Sequence, residues 1–455
     1  MHPAFAARSK AAKPIWFVTT ATFAKTIAAL DKPTRAFVKS VGFEPGPGRH
    51  LLLPSGGVLF GLEGKNAPQN PFLPGLLPGV LPAGSYRFAN APHDTRLAVL
   101  AFALGAYRFT RYRKAKDKKI TLALPDGLDG ADLTRIAEGV TLARDLINTP
   151  ANDMGPDELE AAARALAKRH NAKIRSIVGD ALLKDNFPLI HAVGRAAAKA
   201  PRLIDLRWGN PKHPRVTVVG KGVCFDTGGL DLKPDNAMLI MKKDMGGAAS
   251  ALALAHMAMD RGLKISLRVL IPAVENSVAG DAFRPLDIYK SRKGLNVEIG
   301  NTDAEGRLIL ADALALADEE KPDLLIDMGT LTGAARVALG PELPPYYTDD
   351  EALAAEVARH AAAENDPLWR LPLWPRYDSM LDSKTADLNN VASGGMAGSI
   401  VCALFLKRFV SDAKSWLHFD IYAWTPAAKP GRPEGGECQA ARALYALLVA
   451  RYGAA

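Results

Sequence analysis

The sequence predicts an α/β protein with a smaller mixed N-terminal α/β domain and a larger C-terminal domain, whose mostly parallel central sheet is covered by helices on both faces. At 455 residues, the chain exceeds what one hydrophobic core usually serves. Strand-like and helix-like segments alternate regularly after Pro156, which is typical of a parallel sheet. Before about residue 140 the apolar runs are shorter, and Pro- and Gly-rich stretches separate them, as in a small mixed domain.

A helical segment joins these two regions. Apolar residues recur at helical spacing from Asp129 to Ile147. The pattern stops at Asn148-Thr149-Pro150, because a proline disfavours the helical conformation in the residue before it. We therefore expect an N-terminal α/β domain over residues 1–128, a linking helix over 129–150 and the larger domain over 151–455.

The larger region contains an ordered series of elements. Helices are predicted near residues 158–169, 246–261 and 307–319. Strands are predicted near residues 202–207, 216–219, 265–274, 296–300 and 323–327. Active sites in such sheets lie at the carboxyl ends of the strands, so the residues after these strands are the candidates for chemistry.

Composition limits the classes of function. Apolar residues make up 48% of the chain and charged residues 23%, as in folded globular proteins. The three widely spaced cysteines fit a reducing compartment such as the cytoplasm. No run of eighteen apolar residues predicts a membrane span. The net charge of +9 and the basic run from Arg108 to Lys119 leave DNA or RNA binding as an alternative function.

One acidic segment, residues 301–308, lies between a predicted strand and a predicted helix. Asp303 and Glu305 are two residues apart, so both carboxylates can point to the same side in an extended or turn conformation. Converging carboxylates repel each other unless a cation separates them, and carboxylate oxygens favour Mg²⁺, Mn²⁺ or Zn²⁺. Arg307 follows where the helix begins. The alternative is ordinary capping, with Asp303 as the N-cap and Glu305 in the first turn.

A second glycine-rich segment, residues 219–247, adds carboxylates. With Asp226 and Asp244, four carboxylates could lie near one point, and that number suggests a site for two metals. A phosphate loop is not indicated, because neither nucleotide-binding glycine pattern is present. Lys221 and Lys233 have two interpretations. Each could be a counter-charge to the acids, or one could coordinate a metal as a neutral amine while the other polarises a substrate carbonyl.

The two segments together resemble the leucyl aminopeptidase (cytosol aminopeptidase) family of two-metal metallopeptidases. The resemblance depends on Gly220–Lys233, Met241–Ala249 and the highly specific octapeptide Asn-Thr-Asp-Ala-Glu-Gly-Arg-Leu at residues 301–308. It extends over the larger domain through residues 148–154, 284–288, 329–334 and 387–389 with 397–398. The N-terminal third shows no recognisable family pattern.

The resemblance implies a metal-dependent aminopeptidase that hydrolyses the N-terminal residue of short peptides through a bridging water activated by two divalent ions. Mn²⁺ or Zn²⁺ is expected, with Mg²⁺ as a further candidate. The implied metal ligands are Lys221, Asp226, Asp244, Asp303 and Glu305, and the implied catalytic pair is Lys233 and Arg307. Asp226 and Glu305 would be shared by both ions, and a bicarbonate at Arg307 would act as the general base.

The resemblance also implies how a substrate is held and how the chain assembles. The residues implied in substrate binding are Met241, Asn301 and Thr330 at the pocket for the first side chain, and Leu331 and Gly333 at the substrate backbone. A homohexamer is expected. The alternative is a DNA- or RNA-binding protein on an aminopeptidase scaffold.

Two departures from the family pattern concern details of the site. Asp231 stands in the first loop where better-known members have a small polar residue, and it could alter the metal preference. The stretch Ala423–Gly436 also differs from the usual ending of the family. A preference for leucine as the first residue is therefore not implied.

Overall fold

The computed structural model describes residues 2–9, 11–113 and 118–453. The chain forms two compact units, the first comprising Met1–Thr141 with Ala427–Glu434 and the second Leu142–Pro426 with Gly435–Ala455. Residues 114–117 of the predicted basic run lie outside the described residues. No helix of the described segments has both the length and the apolar content to cross a bilayer.

The first unit is a mixed α/β domain around a six-stranded sheet with the strand order β1-β6-β5-β2-β4-β3. Its apolar core includes Val18, Val38 and Leu59. The strands are β1 Phe5–Ala6, β2 Lys13–Val18, β3 His50–Leu52, β4 Val58–Gly61, β5 Gly84–Phe88 and β6 Ile120–Ala123. The helices are α1 Phe23–Ala28, α2 Lys32–Ser40, α3 Leu77–Val80 and α4 Thr95–Gly105, with a 3-10 turn at Leu73–Leu76.

Helix α5, Gly130–Asn148, carries the chain into the second unit. The main sheet of that unit has the order β16-β15-β18-β14-β9-β11-β8-β7, with β10 pairing to β11. Its strands are β7 Lys173–Val178, β8 Arg202–Gly209, β9 Arg215–Gly220, β10 Gly222–Asp226, β11 Ser266–Asn276, β14 Leu324–Gly329, β15 Pro345–Tyr347, β16 Trp369–Arg370 and β18 Trp416–Asp420. Parallel pairing dominates its centre, where β9 lies between β11 and β14.

Smaller sheets and many helices complete the second unit. The small sheets are β12 Ile288–Lys290, β13 Asn296–Glu298 and β17 Leu388–Asn389, and β19 Trp424–Thr425 with β20 Gly435–Gly436. The helices are α6 Pro156–Arg169, α7 Ala181–Lys184, α8 Pro188–Gly194, α9 Asp235–Met238, α10 Gly246–Arg261, α11 Glu305–Asp318, α12 Gly333–Leu339, α13 Glu351–Ala363, α14 Gly398–Lys407 and α15 Ala441–Tyr452. The 3-10 helices are Ala151–Asp153, Met241–Met245 and Pro375–Leu381.

Helices cover both faces of the central strands. Val219 of β9 packs in one core with residues of α11 such as Leu308 and Leu314. Its neighbour Gly220 points to the opposite face, because successive residues of a strand alternate. A Cβ atom at Gly220 would lie 2.6 Å from the Cα atom of Ala248 in α10. The predicted fold class is therefore confirmed.

Two details of the predicted elements are wrong. The strand near residues 296–300 belongs to the separate three-stranded sheet, not to the main sheet. The helix expected from Arg307 begins two residues earlier, at Glu305, so residues 305–308 of the signature octapeptide form its first turn. The domain limits at residues 128 and 150 stay a prediction, and the division between the compact units falls inside α5.

Asp312 of α11 joins three segments of the second unit. Its Oδ2 atom accepts N–H groups from Leu189 at 2.8 Å and Ile190 at 3.3 Å, and its Oδ1 atom accepts the N–H of Arg292 at 2.8 Å. Burial raises the pKa of Asp312 to about 7, although these donors favour the charged form. The folded chain therefore binds this proton more tightly than the unfolded chain, and unfolding free energy falls as pH rises from about 4 to about 7.

We predict that Asp312→Asn lowers the unfolding free energy by about 1–3 kcal/mol at pH 5, because an amide nitrogen would face a buried N–H donor. This deficit should shrink toward pH 8, since only the unaltered protein must ionise a buried acid there. Thermal unfolding from pH 5 to pH 8 measures the difference. As a control, Glu319→Gln, which weakens an exposed ion pair to Arg292, should cost less than about 1 kcal/mol at every pH. A deficit that grows with pH would contradict the assignment.

Candidate active site

The first glycine-rich segment lies at the carboxyl ends of the central strands. Lys221 follows the last residue of β9, and Asp226 is the last residue of β10. The backbone N–H of Lys221 donates to the carbonyl oxygen of Met328, near the end of β14, at 2.9 Å. The strand ends thereby place a buried lysine and a buried carboxylate at the same edge of the sheet.

Asp244 lies in the 3-10 helix Met241–Met245, immediately before α10. A Cβ atom at Gly247 would lie 2.2 Å from the carbonyl oxygen of Met328, so only glycine lets this helix end approach β14. Asp244 is 3% exposed and lies beside the end of the sheet. The glycine pair after Asp244 therefore has a packing role that positions the acid.

The second segment brings Asp303 and Glu305 to the same edge. Glu305 is the first residue of α11, and its N-cap is Ala304, with no side-chain capping bond. The capping interpretation of Asp303 is therefore wrong. A Cβ atom at Gly306 would lie 2.5 Å from Nζ of Lys221, so the missing side chain makes room for the lysine.

The acids from both segments converge around the two lysines. One oxygen each of Asp226, Asp244 and Glu305 lies within 4.8 Å of the others. Nζ of Lys221 lies 2.7 Å from Oδ2 of Asp244 and 2.9 Å from Oε1 of Glu305. Nζ of Lys233 lies 2.9 Å from Oδ2 of Asp226 and also contacts Oδ1 of Asp303.

Burial and mutual repulsion dominate the electrostatics of this cluster. Burial, and then the nearby charge of Asp226, raises the pKa of Glu305 to about 8. The same two causes raise the pKa of Asp303 to about 6. The burial of Lys221 favours its neutral amine, but attraction to Asp244, Glu305 and Asp226 outweighs this effect and raises its pKa. The cluster therefore holds its carboxylates ionised only when positive charge is nearby.

The donor set fits divalent cations. Three buried oxygens, Oδ2 of Asp244, Oδ1 of Asp303 and Oε1 of Glu305, accept no hydrogen bond from the described residues. The ammonium groups of Lys221 and Lys233 approach these oxygens as ion-pair partners. Hard carboxylate oxygens with free lone pairs at one buried point are the ligands that Mn²⁺, Zn²⁺ and Mg²⁺ use.

Thr302 and Asp231 connect the two loops. The N–H of Thr302 donates to Oδ2 of Asp231 at 2.8 Å, and the N–H of Asp231 donates to Oγ1 of Thr302 at 2.8 Å. The Thr302 hydroxyl also donates to the carbonyl oxygen of Gly228 at 2.6 Å. Asp231 therefore has a tethering contact that the sequence did not indicate. Its effect on metal preference stays a prediction.

Two buried asparagines support the acids, and sequence reasoning missed both. Asn276, at the end of β11, donates to Oδ1 of Asp226 at 2.9 Å and to the carbonyl oxygen of Thr302 at 3.1 Å. The side chain of Asn390 accepts the N–H of Gly300 at 2.7 Å and donates to the carbonyl oxygen of Asn301 at 2.8 Å. The only sequence signal was a polar residue at a strand end.

The residues expected at the substrate lie around the cluster. The Thr330 hydroxyl donates to Oδ1 of Asp244 at 2.7 Å, while its carbonyl oxygen accepts Nζ of Lys221 at 2.7 Å. Oδ1 of Asn301 accepts the N–H of Asp303 at 2.7 Å. Met241, half-buried, begins the 3-10 helix that carries Asp244. All three therefore neighbour the acids.

The loop after β14 is fixed by Asp420, a further residue missed from sequence. Oδ1 of Asp420 accepts the N–H groups of Leu331 at 3.2 Å and Thr332 at 3.3 Å. The N–H of Leu331 is thus used within the protein. Gly333, the first residue of α12, is exposed.

Arg307 lies in the first turn of α11 and is 8% exposed. Nη1 of Arg307 donates a hydrogen bond to the carbonyl oxygen of Asn390 at 2.8 Å. No acid within the described ranges forms an ion pair with this guanidinium, so its charge can bind an anion from outside the chain.

Buried carboxylates gathered at the strand ends of a parallel-sheet domain define the class of metal-dependent enzymes on an α/β scaffold. Comparisons specify the family. Residues 141–445 match the family model described as "Cytosol aminopeptidase family, catalytic domain". Residues 14–125 match the model described as "M17 aminopeptidase, N-terminal domain". The expectation that the N-terminal third carries no family pattern is therefore wrong.

Similar proteins agree with this result. A probable cytosol aminopeptidase of Chlamydia trachomatis serovar A is 44% identical over 360 residues, covering 76% of this chain and 71% of the relative. The crystal structure of cytosol aminopeptidase from Coxiella burnetii is 45% identical and superposes with a TM-score of 0.93, covering 98% of both chains. The bottromycin maturation enzyme BotP in complex with Mn is 31% identical, with a TM-score of 0.86 over 97% of this chain and 99% of BotP.

The chain belongs to the cytosol aminopeptidase family and is a metal-dependent aminopeptidase, a hydrolase. None of these comparisons supports the alternative of a DNA- or RNA-binding protein.

We predict that Thr302→Val raises the Mn²⁺ concentration for half-maximal activity by about 10-fold to 100-fold, because the tether between the two acidic loops is lost. Titration of the metal-free protein with Mn²⁺ measures the change. Thr348→Val is the matched control, since its hydroxyl accepts the N–H of Asp350 at 3.1 Å outside the acidic loops. Equal Mn²⁺ dependence in both variants would argue against a tethering role.

Proposed function

We propose that this chain removes single residues from the free amino end of short peptides, using two divalent metal ions held by the two acidic loops. The observation that carries the proposal is the convergence of buried carboxylates with three oxygens that accept no hydrogen bond in the described structure. Cations between like charges at this separation stabilise them, and hard carboxylate oxygens are ligands of divalent ions.

Five side chains are proposed as the metal ligands: Lys221, Asp226, Asp244, Asp303 and Glu305. Asp226 and Glu305 are proposed as shared ligands. We propose Mn²⁺ or Zn²⁺ as the native ions, with Mg²⁺ as a weaker candidate, and the Mn named in the BotP complex supports this choice. For Lys221 to ligate an ion, its amine must first lose a proton, so metal binding releases protons.

Two divalent ions would supply Lewis acidity toward the free amine and the scissile carbonyl, and a water nucleophile near neutral pH. The protonated amine of Lys233 is proposed to donate to the carbonyl oxygen as negative charge develops there. The guanidinium of Arg307, which lacks an acid partner within the described chain, is proposed to hold a bicarbonate that accepts a proton from the attacking water. A blocked amino end would remove the group that fixes the substrate.

Substrate contacts are proposed for the residues around the acids. Met241, Asn301 and Thr330 would line the pocket for the first side chain. The carbonyl oxygen of Leu331 and the N–H of Gly333 would bind the peptide backbone. The Asp420 contacts to the loop after β14 support this arrangement, because they fix the direction of both backbone groups.

The assembly and location are proposals from family membership. We propose a homohexamer in the cytoplasm, acting on short peptides. We also propose that residues 1–128 form an N-terminal domain, that residues 129–150 link it, and that residues 151–455 form the catalytic domain. The second candidate function is nucleic-acid binding, and the observation that favours it is the net charge of +9.

We predict that the Mn²⁺-loaded protein releases the first residue from Leu-Ala and from unblocked amino-acid arylamides. Chelation should abolish the activity, and N-acetylated substrates should not be cleaved. Glu305→Gln should lower kcat/KM by at least about 100-fold and reduce the bound metal below two ions per chain, because a shared ligand is lost.

Elemental analysis and peptide hydrolysis measure these effects together. The surface variant Glu319→Gln should keep both its metal content and its activity. Chelator-insensitive hydrolysis, or full activity in Glu305→Gln, would contradict the proposal.

We predict that Lys233→Met lowers kcat by about 100-fold to 1,000-fold, as loss of one oxyanion donor does, while metal content stays near that of the unaltered protein. A lower kcat with unchanged metal content indicates a catalytic lysine, whereas loss of bound metal indicates a metal ligand. Lys242→Met is the matched control, because Nζ of Lys242 donates to the carbonyl oxygen of Asn148 at 2.7 Å. Loss of metal in Lys233→Met with an unchanged rate per bound metal would refute this role.

A further inference from the structure

Lys243 is a buried cation with no carboxylate partner. The residue is 5% exposed, and its Nζ atom lies 4.8 Å from the centroid of the Tyr422 ring. Within the described ranges its amine forms neither a hydrogen bond nor an ion pair. Burial of an ammonium without an ion-pair partner is costly, so an anion placed beside Nζ would stabilise the charged amine.

Arg336 presents a second cation to the same ring. Its Cζ atom lies 5.7 Å from the Tyr422 centroid, and its side chain is 14% exposed. Nη2 of Arg336 donates to the carbonyl oxygen of Asp420. Its Nε and Nη1 atoms are buried without a hydrogen-bond partner in the described structure. Two N–H donors of a planar guanidinium are thus available for a ligand.

The acids nearest to this pair are already engaged. Oδ1 of Asp420 accepts two backbone N–H groups, and Oδ2 accepts the hydroxyls of Thr332 at 2.6 Å and Ser399 at 3.0 Å. Asp244 is in contact with Lys221 and Thr330. Asp420 forms a long ion pair with Nη2 of Arg336, at 3.7 Å, which leaves the Nε and Nη1 donors of Arg336 unused, and Lys243 has no ion-pair partner in the described ranges.

The pair borders the candidate active site. Lys243 directly precedes Asp244 in the chain. Arg336 donates to Asp420, which holds the loop after Thr330. A Cβ atom at Gly246 would lie 2.2 Å from Cβ of Ala423, the neighbour of Tyr422, and 3.5 Å from Cγ2 of Thr330. Gly246 therefore brings Ala423, the chain neighbour of Tyr422, beside Thr330, where the first side chain of a substrate is proposed to lie.

We propose that Lys243 and Arg336, placed against the Tyr422 ring, bind the side-chain carboxylate of an acidic first residue, aspartate or glutamate. This inference rests on the proposed aminopeptidase function. A ligand carboxylate would accept a hydrogen bond from one of the free donors of Arg336, Nε or Nη1, and would form an ion pair with Lys243. A neutral side chain of the same shape would leave the buried amine of Lys243 without an ion-pair partner, so the pocket discriminates by charge.

The test compares Glu-Ala with Gln-Ala, because their first residues have the same shape and differ in charge. The Mn²⁺-loaded full-length protein should show a kcat/KM at least about tenfold higher for Glu-Ala. Lys243→Met and Arg336→Met should each bring the Glu-Ala to Gln-Ala ratio toward one. Lys242→Met, which removes the neighbouring lysine over the Trp424 ring, should keep the ratio of the unaltered protein.

The ratio within one protein is independent of the folded fraction and of metal content, so partial loss of either in a variant does not affect the result. Calorimetric titration with free L-glutamate and L-glutamine provides a readout without hydrolysis. Binding of glutamate should be at least about tenfold tighter in the unaltered protein, and Lys243→Met should abolish the difference.

A ratio of one or lower in the unaltered protein, or an unchanged ratio in both variants, would overturn the inference. Hydrolysis of Leu-Ala in that case would leave the proposed function intact. Absence of hydrolysis for all three dipeptides would instead refute the proposed function, and the titration would still decide whether glutamate is preferred.

Discussion

The structure of the site depends on the compensation of buried negative charge by the two lysines that enter the acidic cluster. Four carboxylates meet at one edge of the sheet, where burial and repulsion would otherwise keep some of them protonated. Lys221 and Lys233 each lie between two acids taken from different segments. The same charges that make the cluster costly to bury prepare it for divalent cations, because a cation gains most where carboxylates already converge.

The scaffold fixes this cluster through contacts that are themselves buried. Strands β9, β10 and β14 end together, so Lys221 and Asp226 start from rigid positions. Thr302 and Asn276 then bind the second loop to the first through hydrogen bonds. Asp420 does the same for the loop after β14. The geometry of the acidic cluster therefore depends on the surrounding polar groups as much as on the clustered charges.

The class of reaction and the choice of substrate depend on different residues, and the environment of Tyr422 concerns only the choice of substrate. The metal-dependent aminopeptidase activity follows from the family and from the acidic loops. The proposed selection of the first residue depends on other side chains. Lys243 has no ion-pair partner in the described ranges, and the Nε and Nη1 donors of Arg336 are unsatisfied there, which supports the proposal of a substrate with a negatively charged first side chain.

The sequence alone determined the fold class, the alternation of strands and helices, and the two segments that supply the acids, because each of these is written in contiguous residues. Hydrophobic periodicity and glycine-rich loops act over short distances along the chain. It also predicted that Asp226 and Asp244 would come within reach of Asp303 and Glu305, and the geometry agrees. In the N-terminal third, the short apolar pieces did not reveal the family by inspection, although residues 14–125 match the model of the family's N-terminal domain.

Only the tertiary structure decided which polar groups support the acids. Asn390 meets Gly300 across 90 positions of the chain, and Asp231 meets Thr302 across 71. The pairing of Lys243 and Arg336 over Tyr422 likewise joins three distant segments. Such contacts leave no local pattern in the sequence, since a buried asparagine, threonine or lysine looks like any polar residue until the chain folds and removes its water.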